Sequence, residues 1–552
     1  MNFSPDLLSA DAVARNTNPV FHATVNAHGL YNTQQFVLRL SPVVHKVLAS
    51  LTPGIASTGE IGLQGIQAMS TYLHETIHWW QHIGSTYGFI LSLNYPVQAH
   101  CTHADLKKLI DEDGFKKSVF WQATELSKRG PTGFGTTAGR ANTIVNNHFD
   151  LLAFRAFTLG PEAARFITQD DLFEAIGHAF HMTYAHTLYQ LSVVDKTFAA
   201  MPNPQAWADG FRSLRERKVR GHYYGSTIEL WPIGAREIFE GQARFSQIQY
   251  LSHACGHRLD WGDYRNLGML SGLYVKAFEE FLRFTESKWP TNIDDPIVGL
   301  FLLVCDLALN PASGFPAHVH PNYETFLDDV NPGARFCMFS RLIALRYPDI
   351  KGAVQMYSRS EYETITEKLC QAAKDATPLL IARVFSNWFD KSGPLASLRK
   401  EYETYAFGDE NYVLRHLFAH FLAFQEDKLK KPEFFCWPGA WTAGERLTNE
   451  ASTLFNKHGA LFVDKENDDA IFPRIQNDRN EASVYEAFNK FYHNQVLYEV
   501  VNQWISKSGA FNYDFAWMSP SKAGELKVFA RIQFNAEFGF DPENVMVLSP
   551  PA

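Results

Sequence analysis

Cysteine is scarce in this 552-residue chain, and its six copies (Cys101, Cys255, Cys305, Cys337, Cys370 and Cys436) never stand as a C-x-x-C pair. That argues against a disulfide framework and against a cysteine-rich structural zinc module. Reduced, mostly buried thiols in a cytoplasmic protein are expected instead. No apolar run reaches the roughly 18–20 residues that a membrane helix needs, so no membrane partner is expected. The nearest run, VGLFLLVC ending at Cys305, meets Asp306 at once and reads as a buried helix. The opening residues MNFSPDLLSADAVARN lack a basic segment followed by an apolar core, so no secretory signal is expected there. Positive charge is not in excess: 50 Lys and Arg against 59 Asp and Glu leave a net charge of −9, with no reason to expect nucleic acid as partner. The basic stretch Arg215 to Arg220 is interrupted by Glu216 and Val219 and reads as a solvated helix face. G-x-S-x-G and G-x-x-x-x-G-K-[ST] are both absent, which leaves esterase and P-loop readings without their motifs. GFGTTA (Gly133 to Ala138) follows no strand and reads as a turn.

Apolar residues, at 46%, and aromatics, at 14%, are ample, as in folded globular chains. At this length more than one core is expected. The division expected is an N-terminal arm and β-hairpin over 1–60 packed on the core, a metal-site domain over 61–310, and a mainly helical domain over 311–552. Val20–Asn26 and Gln35–Leu40 alternate with period two, on either side of Gly29 and Asn32, and read as the hairpin. After Pro53 and Gly54, Ile66, Met69, Leu73, Ile77 and Trp80 recur at helical spacing within Ile61–Ser85. Helical patterns follow at 147–157, 169–191, 232–254, 267–286, 335–345, 362–373, 411–426 and 482–503. Asn310 to Asn322, rich in Pro, Asn and Gly, reads as a domain edge or binding loop. A strand is expected at Leu526 to Phe534. The fold class is therefore α+β, mainly α-helical, with a small N-terminal sheet.

The chemistry concentrates in YLHETIHWWQH, which holds H-E-x-x-H at His74, Glu75 and His78. Residues four apart share a helix face, so both imidazoles can offer a ring nitrogen to one Zn²⁺ at about 2.0–2.1 Å. Glu75, beside the first ligand, can reach a water that the metal activates and take its proton. Gln67, Thr71, His74, His78 and Gln81 form a polar stripe beside the apolar one, so one side packs inward while its neighbour faces a cleft. His82 continues that stripe as a supporting or substrate-facing group. One of Trp79 and Trp80 is expected inside and the other beside the pocket.

Two histidines leave zinc under-coordinated. The third ligand is sought in IGAREIFEGQARFSQ, where Glu237, Glu240, Arg244 and Gln247 fall on one face and Glu240 leads Glu237. The small residues of E-G-x-A (Glu240 to Ala243) allow this helix to approach the first closely. The bland reading is an exposed acidic face with a Glu240–Arg244 pair, about 0.3–0.5 kcal/mol. His222, Tyr223 and Tyr224 in GHYYGS offer oxyanion donors, although packing tyrosines in a loop is the plainer reading. His178, His181 and His186, with Glu174 one turn before His178, and the pair His416 and His420 have ligand spacing. A partly buried polar face is favoured for the first set, and the second lacks a glutamate between its histidines. A second E-x-x-H, which a di-iron bundle would want, is not found.

Taken together, His74, Glu75, His78 and the later Glu240 resemble the gluzincin type of zinc metallopeptidase. The extended H-E-x-x-H-x-x-Q, ending at Gln81, is similar to bacterial metallopeptidases of uncharacterised function. The resemblance rests on two short segments. It implies a zincin-like core with His74, His78 and Glu240 as zinc ligands, Glu75 as general base, and a peptide or protein substrate. Phe239 stands where asparagine is usual before the glutamate, and the long separation of His78 from Glu240 implies large helical insertions between the halves of the site. The rival readings are a zinc hydrolase of a non-peptide substrate and a non-catalytic helical scaffold with a vestigial site.

Overall fold

The computed structural model describes residues 3, 4, 7, 29–32, 35–51, 61–317, 323–391, 393–476 and 478–548. The expected strand Val20–Asn26, the Pro53–Gly54 break and residues 318–322 lie outside the described residues. The architecture is mainly helical, 67% helix against 4% strand, with a small mixed sheet.

That sheet joins distant parts of the chain. Strand β1 (Gly29–Asn32) pairs antiparallel with β2 (Val37–Leu40), in the register Gly29 opposite Leu40. A two-residue pairing at Lys116–Lys117 (β3) lies elsewhere. On its other side β2 runs parallel to β4 (Phe462–Lys465), which pairs antiparallel with β5 (Asp468–Pro473). The order is β1-β2-β4-β5, so a sheet expected to be N-terminal is half built from residues beyond 460. Asp464 fastens the junction, accepting from the Leu40 amide at 3.1 Å and bonding His45 Nε2 at 2.6 Å. β3 pairs with Met546–Val547 (β6), a second link from the first part of the chain to the last.

Helix α1 (Gly62–Gly84) carries the H-E-x-x-H motif. Its stripe Ile66, Met69, Leu73, Ile77 and Trp80 is buried, as amphipathic spacing requires. Ser85 then caps α2 (Thr86–Asp113), accepting from the Gly88 amide at 3.0 Å. Helix α3 (Thr137–Leu159) starts inside GFGTTA at the Thr136 cap, so the turn expected there covers Gly133 to Thr136 and the last two residues are helical. Helix α4 (Ala235–Ala254) lies along α1, and α5 (Leu273–Phe284) and α6 (Pro296–Leu309) flank α4. Gly241 faces α5 and α6 rather than α1: a Cβ there would stand 3.1 Å from Ala277 Cβ and 3.3 Å from the Phe301 ring. The close approach read from E-G-x-A therefore serves a different helix pair. Helix α6 contains VGLFLLVC and is buried, and Asp306 at its end accepts from Lys428 Nζ at 2.6 Å and Tyr362 Oη at 2.7 Å.

The buried apolar residues form one continuous cluster running from Leu7 to Phe538. Both tryptophans of the motif helix join it. Trp80 packs on Phe424, Phe434, Phe435 and Phe455 and donates to the His458 carbonyl at 2.7 Å, and Trp79 is 2% exposed. These contacts, and the β2–β4 pairing, cross the boundaries expected near residues 60 and 310. Of the described part of the proline-rich loop, Asn310 to Pro316 are buried and Ala317 is exposed.

One expected strand is a helix. Leu526–Phe534 lies within α9 (Ala523–Phe538), where Leu526, Ala530, Phe534 and Phe538 are buried at four-residue steps. Val528 and Ile532, which alternation would bury with them, are 55% and 58% exposed. The local sequence satisfies both periods. Packing of Phe534 and Phe538 on Trp504 of α8 (Glu481–Ser506) selects the helical one.

Candidate metal centre

The polar stripe of α1 faces α4, and together they make a buried polar seam. Gln247 Nε2 donates to Ser70 Oγ at 3.1 Å at one end. One turn along, His74 and His78 project toward Glu240. The two Nε2 atoms are 3.2 Å apart, and Glu240 Oε2 lies 3.8 Å from the first and 3.6 Å from the second. Three donor atoms with those separations have a common point about 2.1 Å from each, against roughly 2.0–2.2 Å for zinc bonds to imidazole nitrogen and carboxylate oxygen. The donor set, two imidazoles and one carboxylate, therefore fits a zinc ion in both size and chemistry.

Gln81 explains why His78 is turned this way. Its Nε2 donates to the Phe239 carbonyl and to Gln242 Oε1, both at 2.9 Å, leaving its Oε1 to accept from His78 Nδ1 at 2.8 Å. With Nδ1 carrying the proton, Nε2 is directed at the cluster, the arrangement in which an outer partner orients a metal-binding histidine. Phe239 supplies that carbonyl and packs its ring on His82 at 5.0 Å.

Glu237 is engaged elsewhere. It accepts from its own helix's Gly234 amide at 2.8 Å and pairs with Lys276 at 3.4 Å, so Glu240 and not Glu237 completes the cluster. Arg244 donates to Gln247 at 2.5 Å and stacks over the Tyr274 ring at 4.0 Å.

Glu75, on the same cavity as the cluster, lies against β1. A Cβ on Gly29 would fall 2.5 Å from Glu75 Cγ and 2.6 Å from Oε1, so only glycine lets the strand lie this close. The Tyr31 amide donates to the carboxylate. Burial pushes Glu75 up to about 7, against the opposing pull of the His78 charge. Burial likewise takes His74 down to about 3. In His78 burial acts downward too, but the Glu240 carboxylate outweighs it and holds the ring at about 9. Burial works to raise Glu240, and the two imidazoles hold it well below the usual carboxylate range.

These groups open on a cavity of about 330 Å³ whose walls include Gly29, Tyr31, His82, Leu159, Arg236 and Tyr274. His82 is thus a wall residue, its ring kept neutral by burial and by the charges of His78 and Arg155, with a pKa near 3. Tyr274, whose ring centre is 6.0 Å from that of His74, is the aromatic wall beside the cluster, and nothing in LYVKAFEEF marks it in the sequence. The oxyanion donors suggested by GHYYGS are not in this wall. The His222 ring lies against Gly177 and Phe211, and Tyr224 is 77% exposed.

His253, His257 and Asp294 also gather, with His257 Nδ1 2.7 Å and His253 Nε2 4.0 Å from the Asp294 carboxylate, in a more exposed setting. The two histidine sets singled out in the sequence do not converge. His178 pairs with Asp150 at 3.3 Å and Glu174 at 3.7 Å, while His181 stacks on Phe211. On α7 (Tyr412–Lys430), His416 and His420 stack on each other amid Tyr405, Phe407 and Phe491, with no carboxylate between them. All six cysteines are free, five of them buried. Among the described residues no helix is long and apolar enough to cross a membrane. Comparison of the chain with protein-family models, with curated proteins and with solved structures finds no match.

Proposed function

We propose that this protein is a zinc-dependent hydrolase of amide bonds, a peptidase of the gluzincin type with a zincin-like core, with His74, His78 and Glu240 holding the metal. The observation that carries the reading is the cluster itself. Three donor atoms from two helices, far apart in sequence, close on a point at zinc-bond distance, with the motif's glutamate buried beside them. Bound zinc supplies a Lewis acid that acidifies water and polarises a carbonyl.

The chain's own groups do the rest. Glu75, held by the Tyr31 amide against Gly29, takes a proton from water at a carboxylate oxygen, and its burial raises its basicity. The water oxygen bonds to the carbonyl carbon, the carbon–nitrogen bond breaks, and the proton held by Glu75 passes to the leaving amine. Gln81 accepts from His78 Nδ1, which leaves Nε2 as the ring nitrogen turned toward the cluster. Tyr274, braced by Arg244, is the wall group assigned to the developing oxyanion. The free thiols support a reducing compartment such as the cytoplasm.

Metal analysis of the purified chain, alongside its Glu240→Ala variant, tests the reading. About one zinc per chain, lost in the variant, is expected. A chain that takes up no zinc, or loses none on that substitution, overturns it and leaves the scaffold alternative.

A further inference from the structure

The metal cleft is not the largest cavity. A second, of about 550 Å³, is walled by α2, α3 and α8, with Asn94, Gln98, Arg155, Gln495 and Glu499 among its side chains. Three separate elements step from one wall to the other. On α2, Leu91 lines the metal cleft, and Asn94 and Tyr95, one turn on, line the second cavity. On α3, Leu159 lines the cleft and Arg155, one turn back, lines the second cavity. On the hairpin, Tyr31 belongs to the first and Gln35 to the second. The Arg155 charge also reaches His82 in the metal-cleft wall. The two spaces are therefore neighbours that share walls on three elements.

Arg155 is the unusual group in it. Its guanidinium is mostly buried, and it makes no hydrogen bond or ion pair with any described residue. The other charged groups facing the cavity are accounted for. Glu499 accepts from Trp517 Nε1 at 3.1 Å, and Lys507 is exposed to solvent. His148 is bonded to Gln98 and kept neutral by burial. A buried cation without a counter-charge is costly unless a ligand supplies one. A guanidinium fork matches a carboxylate with two parallel hydrogen bonds. Around it, Asn94 Oδ1 and both amide atoms of Gln495 are buried without partners. Carboxamides offer the donors and acceptors that pair with the N–H and C=O groups of an extended peptide.

We propose that the metal cleft and the amide-lined cavity form one substrate channel, and that Arg155 binds a carboxylate of the substrate. The substrate is then a peptide carrying a carboxylate, either its C-terminus or an Asp or Glu side chain, close to the bond that is cut. One turn of α3 from Leu159 to Arg155 is about 6 Å, roughly the span of two extended residues, which sets the carboxylate within about two or three residues of that bond. This rests on the hydrolase reading only for calling the ligand a substrate.

The test uses the full-length, zinc-loaded Glu75→Gln chain and three pools of N-acetylated tetrapeptides. One pool has free C-termini and no acidic side chains, one is amidated without acidic side chains, and one is amidated with a single Asp or Glu. Retention is read by affinity selection and mass spectrometry. At least about tenfold enrichment of the first or third pool over the second is expected, as for a hydrogen bond to a charged group, and which of the two is enriched identifies the source of the carboxylate. Adding Arg155→Gln should abolish the enrichment, and Arg155→Lys, which keeps the charge, should preserve part of it. Equal retention of all pools, no retention of any, or enrichment that survives Arg155→Gln overturns the proposal. If Arg155→Gln does not fold, enrichment unchanged in Arg155→Lys also overturns it, because a paired fork is not matched by a point charge. Turnover by the wild-type chain is assayed separately with the same pools. Hydrolysis without carboxylate preference defeats the channel and spares the hydrolase, whereas carboxylate preference without hydrolysis does the reverse.

Discussion

At the scale of single residues, the proposed hydrolase assigns the site groups that hold, a group that reacts and groups that orient. Glu75→Gln keeps the shape of the side chain but removes the basic oxygen. It is expected to leave zinc content unchanged and to lower turnover by about 10²–10⁴-fold. Steady-state assay with metal analysis on the same sample checks this, and retained turnover refutes the role. Gln81→Ala frees the His78 ring and leaves Gln242 and the Phe239 carbonyl without their partner. A loss of about 10–100-fold in zinc affinity is expected in competition with a chelating dye. Gly29→Ala tests the base from the other side. The added methyl group occupies the space of the Glu75 carboxyl, so turnover falls while zinc stays. His74, Glu75 and His78 stand out by spacing, because helical periodicity sets which side chains share a face, and the same periodicity offers Glu240 together with Glu237. Tyr274 and Arg155 do not stand out, since a lone tyrosine or arginine on an amphipathic helix carries no local signal.

Among the elements, α9 shows where periodicity stops deciding. Val528, Ala530, Ile532 and Phe534 alternate as a strand would, yet only Ala530 and Phe534 are buried. Phe534→Ala is expected to cost about 3–5 kcal/mol, as for a buried aromatic. Ile532→Ala, at an exposed site, should stay within about 0.5 kcal/mol. Urea denaturation of the two variants measures both, and equal effects would favour the strand. Helix α2 had no readable signature for a related reason: from Thr86 to Asn94 every residue is buried, so no polar face breaks the pattern. Strands β4 and β5 are short, and their place beside β2 depends on a pairing across more than four hundred residues, which no local pattern announces.

For the molecule as a whole, the buried histidines set its response to acid. Burial holds His416 at about 3 and His420 well below its usual value. Burial likewise takes His100 and His186 to about 4. Each is depressed below the unfolded value of about 6.5, so the unfolded chain takes up protons that the folded chain refuses. Stability is full above about pH 6.5 and falls as pH drops toward the folded values, by up to about 1.4 kcal/mol per pH unit for each fully buried ring. Thermal melts between pH 7.5 and 4 should show Tm falling steeply below pH 6.5. His416→Leu should flatten that fall, and an unchanged slope would count against the assignment.

What the sequence determined by itself was local. Helical spacing placed two imidazoles and a carboxylate on α1 and offered Glu240 on a second helix, while composition argued against membrane helices and a disulfide framework. What only the tertiary structure decided was which surfaces meet. The choice of Glu240 over Glu237, the seam that aims His78 and the strand that presses Gly29 against Glu75 all depend on contacts between separate segments, 46 residues apart for Gly29 and Glu75 and 166 for His74 and Glu240. Those contacts are set by the filling of one shared core, and residue spacing within a single helix does not record them.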